Sequence, residues 1–472
     1  MLHNQQFLSV SFFEIYSAAI FIGMLVVSAL LIILGSIRLY FLNRSNKIAY
    51  SSDVKGNPKV SIHLPICNEP PNLVLKTIES IRSLDYENFE LLVISNNTSD
   101  ESLWKPVEKF ILDLDNRFKF IHISEVKGYK AGALNFALDF MCDDADYIFT
   151  VDADYMLNSE ALNVALGTIQ ERDVQLLQFP QAYRNVSSET SGIEINYKHY
   201  FDCYLSSITS KILALPTGTL TLIDKAVFDE GYLWPTDSIT EDASLGVELV
   251  NKDMKLAFCN HVIGKGTMPT ESEDYGKQFR RWVFGNFQVL AKVWNTRGIS
   301  LGKKIHLSTL LTAWINLLGF VFILMTAALP LLFLNNTNAE FILLLGMLNV
   351  FLHCLFQLII YKNIANNNLK KAWNGFLIHL GLIEIGAFYW MHYFISKEKP
   401  FVRTSKFLSA SSTINKFYIF PIILYLTSAL CFILQNNLVA ILIGLFGLQM
   451  MQAKFHKDQE IIWSKFNFYK QK

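Results

Sequence analysis

The chain has 472 residues with 41 Lys+Arg and 41 Asp+Glu, a formal net charge of zero, which argues against a nucleic-acid binder resting on bulk positive charge. It is 51% hydrophobic and only 17% charged, whereas soluble domains carry about 25% charged residues. These figures exclude a disordered chain, a collagen-like repeat and a disulfide scaffold, and they imply apolar segments spliced onto an ordinary domain.

In chain order, residues 1–14 form a tail without Lys or Arg, expected outside the membrane. Residues 15–37 carry no charge and, at about 1.5 Å per residue, suffice to cross a hydrocarbon layer of about 30 Å. With no basic n-region and too long an apolar run, this segment reads as a span and not a cleaved signal. Residues 38–306 have the composition of a soluble α/β domain. Within it, Lys59–Ile66, Phe89–Ser95, Phe118–Ser124 and Tyr147–Val151 read as strands. Helical patterns alternate with them, from Pro71 to about Leu84, from about Asp100, and from Gly128 to Met141. Repeated βαβ units of this kind predict a mostly parallel sheet with right-handed crossovers. Further on, 187–211 reads as one long helix, Gly264-Lys265-Gly266-Thr267 as a turn, and about 270–300 as interface helices.

The C-terminal part predicts spans at 307–334, 341–361, 417–434 and 438–453, with a tail at 454–472. Arg38, Arg44, Lys47, Lys362, Lys370, Lys371, Lys454 and Lys457 all follow spans on the side that would be cytoplasmic. Residues 372–395 resist this scheme, because Glu384, His379 and His392 lie inside and lysines flank both ends. An amphipathic helix along the interface satisfies the charges, with a sixth span as the alternative. The six cysteines form no CxxC pair, so neither structural zinc nor disulfides are expected.

In a parallel sheet, ligands bind beyond the carboxyl ends of the strands. Strand one is followed by Asn68-Glu69, strand two ends in Ser95-Asn96-Asn97, and strand four runs into Asp152-Ala153-Asp154; Lys127 and Lys130 follow strand three. Polar groups for a base or ribose, cations for phosphate and carboxylates for a divalent metal together suit a nucleotide diphosphate. Two acids in a loop are more often solvated, and Lys130 could be a solvated lysine at a helix start. Their shared place at the strand ends favours the ligand reading. Neither GxGxxG nor a Walker A loop occurs.

Pro65-Ile66-Cys67-Asn68-Glu69, Lys130-Ala131-Gly132-Ala133-Leu134-Asn135, Asp152-Ala153-Asp154, Thr240-Glu241-Asp242 and Gln278-Phe279-Arg280-Arg281-Trp282 follow in that order. With them the chain resembles the membrane-embedded glycosyltransferases of family 2, the cellulose- and hyaluronan-synthase-like β-glycan synthases. The resemblance implies a GT-A fold inserted between transmembrane helices. It also implies inverting, metal-dependent transfer of a sugar from a nucleotide sugar, UDP-glucose being the expected donor, to the end of a β-linked polysaccharide.

By this resemblance Asp152 and Asp154 would hold Mg²⁺ or Mn²⁺, and Glu69, Ser95, Lys130 and Asp152 would bind the donor. Asp242, beside Glu241, would be the general base, because an acceptor hydroxyl is a poor nucleophile until a carboxylate takes its proton. Gln278, Arg281 and Trp282, on one face of a helix, would line the acceptor site. The plainer alternative for Trp282 is a core anchor. Lys399 to Lys406, with Phe401 and Thr404, resembles the family's gating loop within 396–416. Where the family has an aspartate after strand two, Ser95 stands here, which leaves the nucleotide open.

The partners implied are a nucleotide sugar, a glycan or lipid acceptor and a lipid bilayer, expected to be a bacterial inner (plasma) membrane; export subunits are left open. Single transfer to a lipid, or a non-catalytic sugar-nucleotide binder or transporter, are the other readings of the same residues.

Overall fold

The computed structural model describes residues 2–43, 49–206, 213–269, 272–334, 337–396 and 419–470. Among these residues ten strands form two sheets. The larger comprises β1 (Val60–Ile66), β2 (Phe89–Asn96), β3 (Phe118–Ile123), β4 (Tyr147–Thr150), β6 (Leu176–Gln178), β8 (Thr221–Asp224) and β9 (Leu256–Phe258). Its spatial order is β3-β2-β1-β4-β8-β6-β9. The pairings are parallel except at the two edges of β8. The smaller sheet pairs β5 (Met156–Leu157), β10 (Gly264–Gly266) and β7 (Ala182–Tyr183). Gly264–Thr267, expected as a turn, therefore enters as a strand: Lys265 pairs with Met156 on one side and Ala182 on the other.

The chain leaves β1 in one direction to build β2 and β3, then returns to add β4 on the opposite side. That reversal opens a crevice between the ends of β1 and β4, where open α/β sheets bind ligands. Both faces of the sheet are covered, and all eight residues of β2 are buried, as its run of Leu, Val and Ile requires. Leu91 and Val93 pack into the apolar layer of one face, and Leu92 and Ile94 into that of the other. The Pro71–Arg82 helix starts with proline at its first position, and Asp100 caps the Glu101–Leu112 helix by accepting from Ser102 N.

Among the described residues three helices are long and apolar enough to cross a membrane: Phe12–Tyr40, Asn338–Ile364 and Asn437–Lys465. The first belongs to a helix that runs from Leu2 to Asn43, so the N-terminal tail is itself helical from Leu2 onward. Leu318–Leu332 and Ile419–Ile433 are apolar but shorter, 15 residues each or about 22 Å.

Several segments differ from expectation. The uncharged run 307–334 is not one helix but parts of two, Leu301–Leu311 and Leu318–Leu332. Asn316 separates them: its N–H donates to the Gly386 carbonyl and its side-chain oxygen accepts from Leu318 N. Residues 372–395 form not one amphipathic helix but three pieces, Leu369–Gly381, Ile383–Phe388 and a 3₁₀ turn at Tyr389–Phe394, each too short to span. Of the region 187–211, Ser191–Lys198 is α-helical and His199–Leu205 is a π-helix. The expected span 438–453 and tail 454–472 are one 34-residue helix, Asn437–Lys470. No Pro or Gly follows Gly447 to break it, and Lys454 and Glu460 find partners in the rest of the protein.

Candidate active site

A cavity of about 210 Å³ lies at the crevice between β1 and β4. Glu69 reaches it from the loop after β1, Lys130 from the Tyr129–Leu138 helix, and Asp152 and Asp154 from the loop after β4. Glu241 and Asp242 line it from the start of the Glu241–Asn251 helix. Gln278, Arg281 and Trp282 line it from the Ser272–Asn295 helix. Nine of the residues singled out from sequence thus share one cavity.

The strand ends are tied together locally. Asn68 N donates to Thr98 Oγ1 at 2.8 Å and Asn68 Nδ2 to the Asn97 carbonyl at 3.2 Å, joining the loops after β1 and β2. Lys130 Nζ donates to Asp152 Oδ1 at 2.5 Å and to the Gly218 carbonyl at 2.6 Å. Burial alone would lower the Lys130 ammonium, but the Asp152, Glu241 and Asp242 carboxylates outweigh it and hold its pKa above the ordinary lysine value. It therefore stays cationic beside the two acids after β4. Asp154 is buried, and its Oδ2 accepts from Thr267 N at 3.2 Å.

Asp242 Oδ1 accepts from Ala243 N at 2.8 Å. Burial is the main cause that raises its pKa, and the Glu241 carboxylate adds to it. The Ala243 N–H, Lys130 and Arg281 pull the other way, which leaves the value at about 7. A carboxylate poised there can both take a proton at neutral pH and be an effective base.

Gln278 is held by Tyr197, whose hydroxyl donates to Gln278 Oε1 at 2.7 Å. Trp282 is half-buried: its ring stacks on Trp314 at 5.2 Å between centroids and meets the edge of Tyr197 at 5.8 Å. It packs in an aromatic floor and lines the cavity at once, so the anchor and site readings coexist.

Ser95 is not at the cavity. It is fully buried and lies 3.2 Å from His122 Nδ1, and the His122 ring stacks on Trp104 at 4.2 Å. Successive strand residues point to opposite faces, so it is Asn96 that reaches the cavity. Phe401 and Thr404 lie outside the described residues. Gln181 and Thr217, from the stretches Gln178–Gln181 and Pro216–Thr219 that the resemblance sets near the donor sugar and the acceptor floor, line the cavity, and so do Tyr129 and Tyr183, which sequence reading missed. Tyr183 lies in the two-residue strand β7, directly after Gln181 and Ala182. The Tyr183 hydroxyl donates to Gln181 Oε1, and Gln181 Nε2 donates to the Thr217 carbonyl at 2.9 Å.

The donor set fits a divalent cation. Two carboxylates of the Asp152-x-Asp154 loop line the cavity, and among the described residues no cluster of three His, Cys, Asp or Glu side chains forms a closed cage. Mg²⁺-type sites are completed by substrate phosphates in this way.

Comparison with known proteins identifies the family and the fold. The family model described as "Glycosyl transferase family 2" matches residues 61–231, and that described as "Glycosyl transferase family group 2" matches 147–362. Poly-beta-1,6-N-acetyl-D-glucosamine synthase of Staphylococcus epidermidis is 28% identical over 310 residues, which cover 62% of this chain and 70% of that enzyme. A probable glucomannan 4-beta-mannosyltransferase of Oryza sativa subsp. japonica is 23% identical over 265 residues; there the match spans about half of each protein, 53% of this chain and 46% of the relative. The mannosyltransferase PcManGT from Pyrobaculum calidifontis, solved with GDP-Man and Mn²⁺, has the same fold. The TM-score is 0.51 at 16% identity, over 78% of this chain and 98% of that one.

Proposed function

We propose that this chain, which belongs to glycosyltransferase family 2, transfers a sugar from a nucleotide-sugar donor to a growing β-linked polysaccharide, with Asp242 as the general base. One observation carries the reading. The Lys130–Asp152–Asp154 group and the Asp242–Gln278–Arg281–Trp282 group line a single cavity, with Asp242 and Lys130 meeting beside Gly218. The first suits a nucleoside diphosphate, and the second suits a sugar acceptor.

In this reading the acceptor hydroxyl lies against Asp242, which takes its proton as the oxygen attacks the anomeric carbon. The new C–O bond forms on the face opposite the departing diphosphate, so the configuration inverts. The bond to phosphate breaks, and the nucleoside diphosphate leaves with the electron pair. Asp152 and Asp154 would hold Mg²⁺ or Mn²⁺, whose charge supports that leaving group when bound. Lys130 keeps a fixed positive charge at the same wall, already oriented by the Gly218 carbonyl. Gln278 and Arg281 offer hydrogen bonds to acceptor hydroxyls, and the Trp282 ring offers a flat apolar face.

The Staphylococcus epidermidis relative supports N-acetylglucosamine over glucose as the transferred sugar. The long apolar helices support a membrane setting, and the positions of the Lys and Arg residues support a cytoplasmic cavity. A polar stripe supports passage of a hydroxyl-rich product along these helices. Asn349, His353 and Gln357 are spaced by four along the Thr337–Ile364 helix, and all are buried. The Asn349 amide has no hydrogen-bond partner among the described residues. His353 Nε2 meets His379 Nε2 at 3.1 Å, beside a cavity of about 60 Å³ that Arg38 and Thr312 also line. Unpaired polar groups at such depth are costly unless a hydrophilic ligand uses them.

A donor screen on the purified full-length chain tests the proposal. UDP-N-acetylglucosamine, UDP-glucose and GDP-mannose are supplied with Mg²⁺ or Mn²⁺, and nucleotide release and the linkage of the product are measured. Transfer is expected from UDP-N-acetylglucosamine, to be abolished by a chelator and lowered at least 100-fold by Asp154→Ala. Turnover that survives both chelation and Asp154→Ala would overturn the metal assignment.

A further inference from the structure

The Asn437–Lys470 helix does not end at the membrane. Its second half packs on the catalytic domain, and its buried polar contacts lead towards two groups of cavity-lining residues.

On the donor side, Ser464 Oγ accepts from Asn185 Nδ2 at 2.7 Å, and both side chains are fully buried. Asn185 Oδ1 in turn accepts from Met268 N at 2.9 Å, and the Ser464 hydroxyl lies 3.4 Å from the Pro269 carbonyl. Thr267, Met268 and Pro269 line the cavity, and Thr267 N is the group that donates to Asp154. A continuous chain of contacts thus leads from Ser464 through Asn185 to the carboxylate assigned to the metal.

On the acceptor side, Glu460 is buried and receives two backbone N–H groups, Gly192 N at 3.0 Å and Ile193 N at 2.8 Å. These open the Ser191–Lys198 helix, where a carboxylate satisfies otherwise unpaired donors. The approach requires glycine, because a Cβ at Gly192 would stand 2.5 Å from Glu460 Oε1. The same short helix carries Tyr197, which holds Gln278.

We infer that the C-terminal helix is a positioning strut of the active site, in which Ser464, through Asn185, sets the donor-side loop, and Glu460, through the Ser191–Lys198 helix, sets the acceptor-side glutamine. Neither residue touches substrate. The inference rests on the proposal that donor and acceptor meet in this cavity. It goes further by assigning separate halves of the site to two residues about one helical turn apart.

The test uses the full-length chain in proteoliposomes. Mn²⁺ binding in the presence of UDP is followed by electron paramagnetic resonance, alongside KM values for donor and acceptor glycan. Ser464→Ala is expected to weaken Mn²⁺·UDP binding and raise donor KM about five-fold, with acceptor KM within two-fold of the parent. Glu460→Gln, which leaves one of the two N–H groups without a carboxylate oxygen, is expected to do the converse. Ser464→Cys keeps the volume and a weak acceptor, so it carries the test if the alanine variant does not fold. In the Asn185→Ala background, Ser464→Ala should add little further change in donor KM. Equal shifts of both KM values in both variants, or none in either, would overturn the strut. Failure of the parent chain to bind Mn²⁺·UDP or to transfer sugar would instead overturn the proposal on which it rests.

Discussion

Asp242→Asn is expected to lower kcat for sugar transfer by about 10²–10⁴-fold, the usual contribution of a positioned general base, while UDP binding stays within a few-fold of the parent. Asparagine keeps the shape and can still accept from Ala243 N, but it cannot take the acceptor proton. The parent should also show an acidic limb. The base must be deprotonated to work, and burial beside Glu241 raises its pKa to about 7. As pH falls through that value, kcat/KM should drop towards tenfold per unit. Asp242→Glu should retain a limb at a shifted pH, whereas the residual activity of Asp242→Asn should lack it. A rate–pH profile on the three proteins checks all of this. An Asp242→Asn enzyme with near-parental kcat would remove Asp242 from the chemistry.

The second large effect is expected at Gly218. This residue has φ +80°, and a Cβ placed on it would stand 3.0 Å from Asp242 Oδ2 and 3.3 Å from Lys130 Nζ. Its carbonyl also receives the Lys130 ammonium. A β-branched side chain is a genuine outlier in that backbone region, and occupying it costs about 1–2 kcal/mol. The added atoms would also press on the base and the lysine together. Displacing catalytic groups by about 1 Å can cost about 10²-fold in rate. Gly218→Val is therefore expected to fold, with a slightly lowered thermal midpoint, and to lose at least 100-fold in kcat. Gly218→Ala should fall between the two. Steady-state kinetics beside a thermal melt separates the effects, and a valine variant with unchanged kcat would contradict the close packing described here.

Much of the site was legible because the chemistry follows the sheet. Once four apolar runs are read as strands, the polar residues after each must gather at one edge, and Glu69, Lys130, Asp152 and Asp154 do so. Asp242, Gln278, Arg281 and Trp282 came from ordered motifs and a helical spacing of three and four. What failed depended on contacts distant in sequence. Ser95 looked like a ligand because it ends a strand, but its hydroxyl turns to His122 on the neighbouring strand. Asn316 interrupts an apolar run only because Gly386, seventy residues on, accepts its N–H. The charged end of the C-terminal helix reads as a solvated tail until Glu460 and Ser464 are seen buried against Gly192 and Asn185. No local pattern encodes those pairings. Hydrophobic periodicity finds elements and their faces, whereas long-range polar pairs decide where helices break and what they brace.

The size and linkage of the product separate polymer synthesis from single transfer. The full-length chain, reconstituted in proteoliposomes, would be given Mn²⁺ and UDP-N-acetylglucosamine labelled in the sugar, and the labelled material sized and digested with a β-specific glycosidase. A high-molecular-weight, β-linked polymer that forms with the parent and not with Asp242→Asn is the predicted result. Label confined to a single sugar on a lipid, or no transfer from any nucleotide sugar, would contradict it.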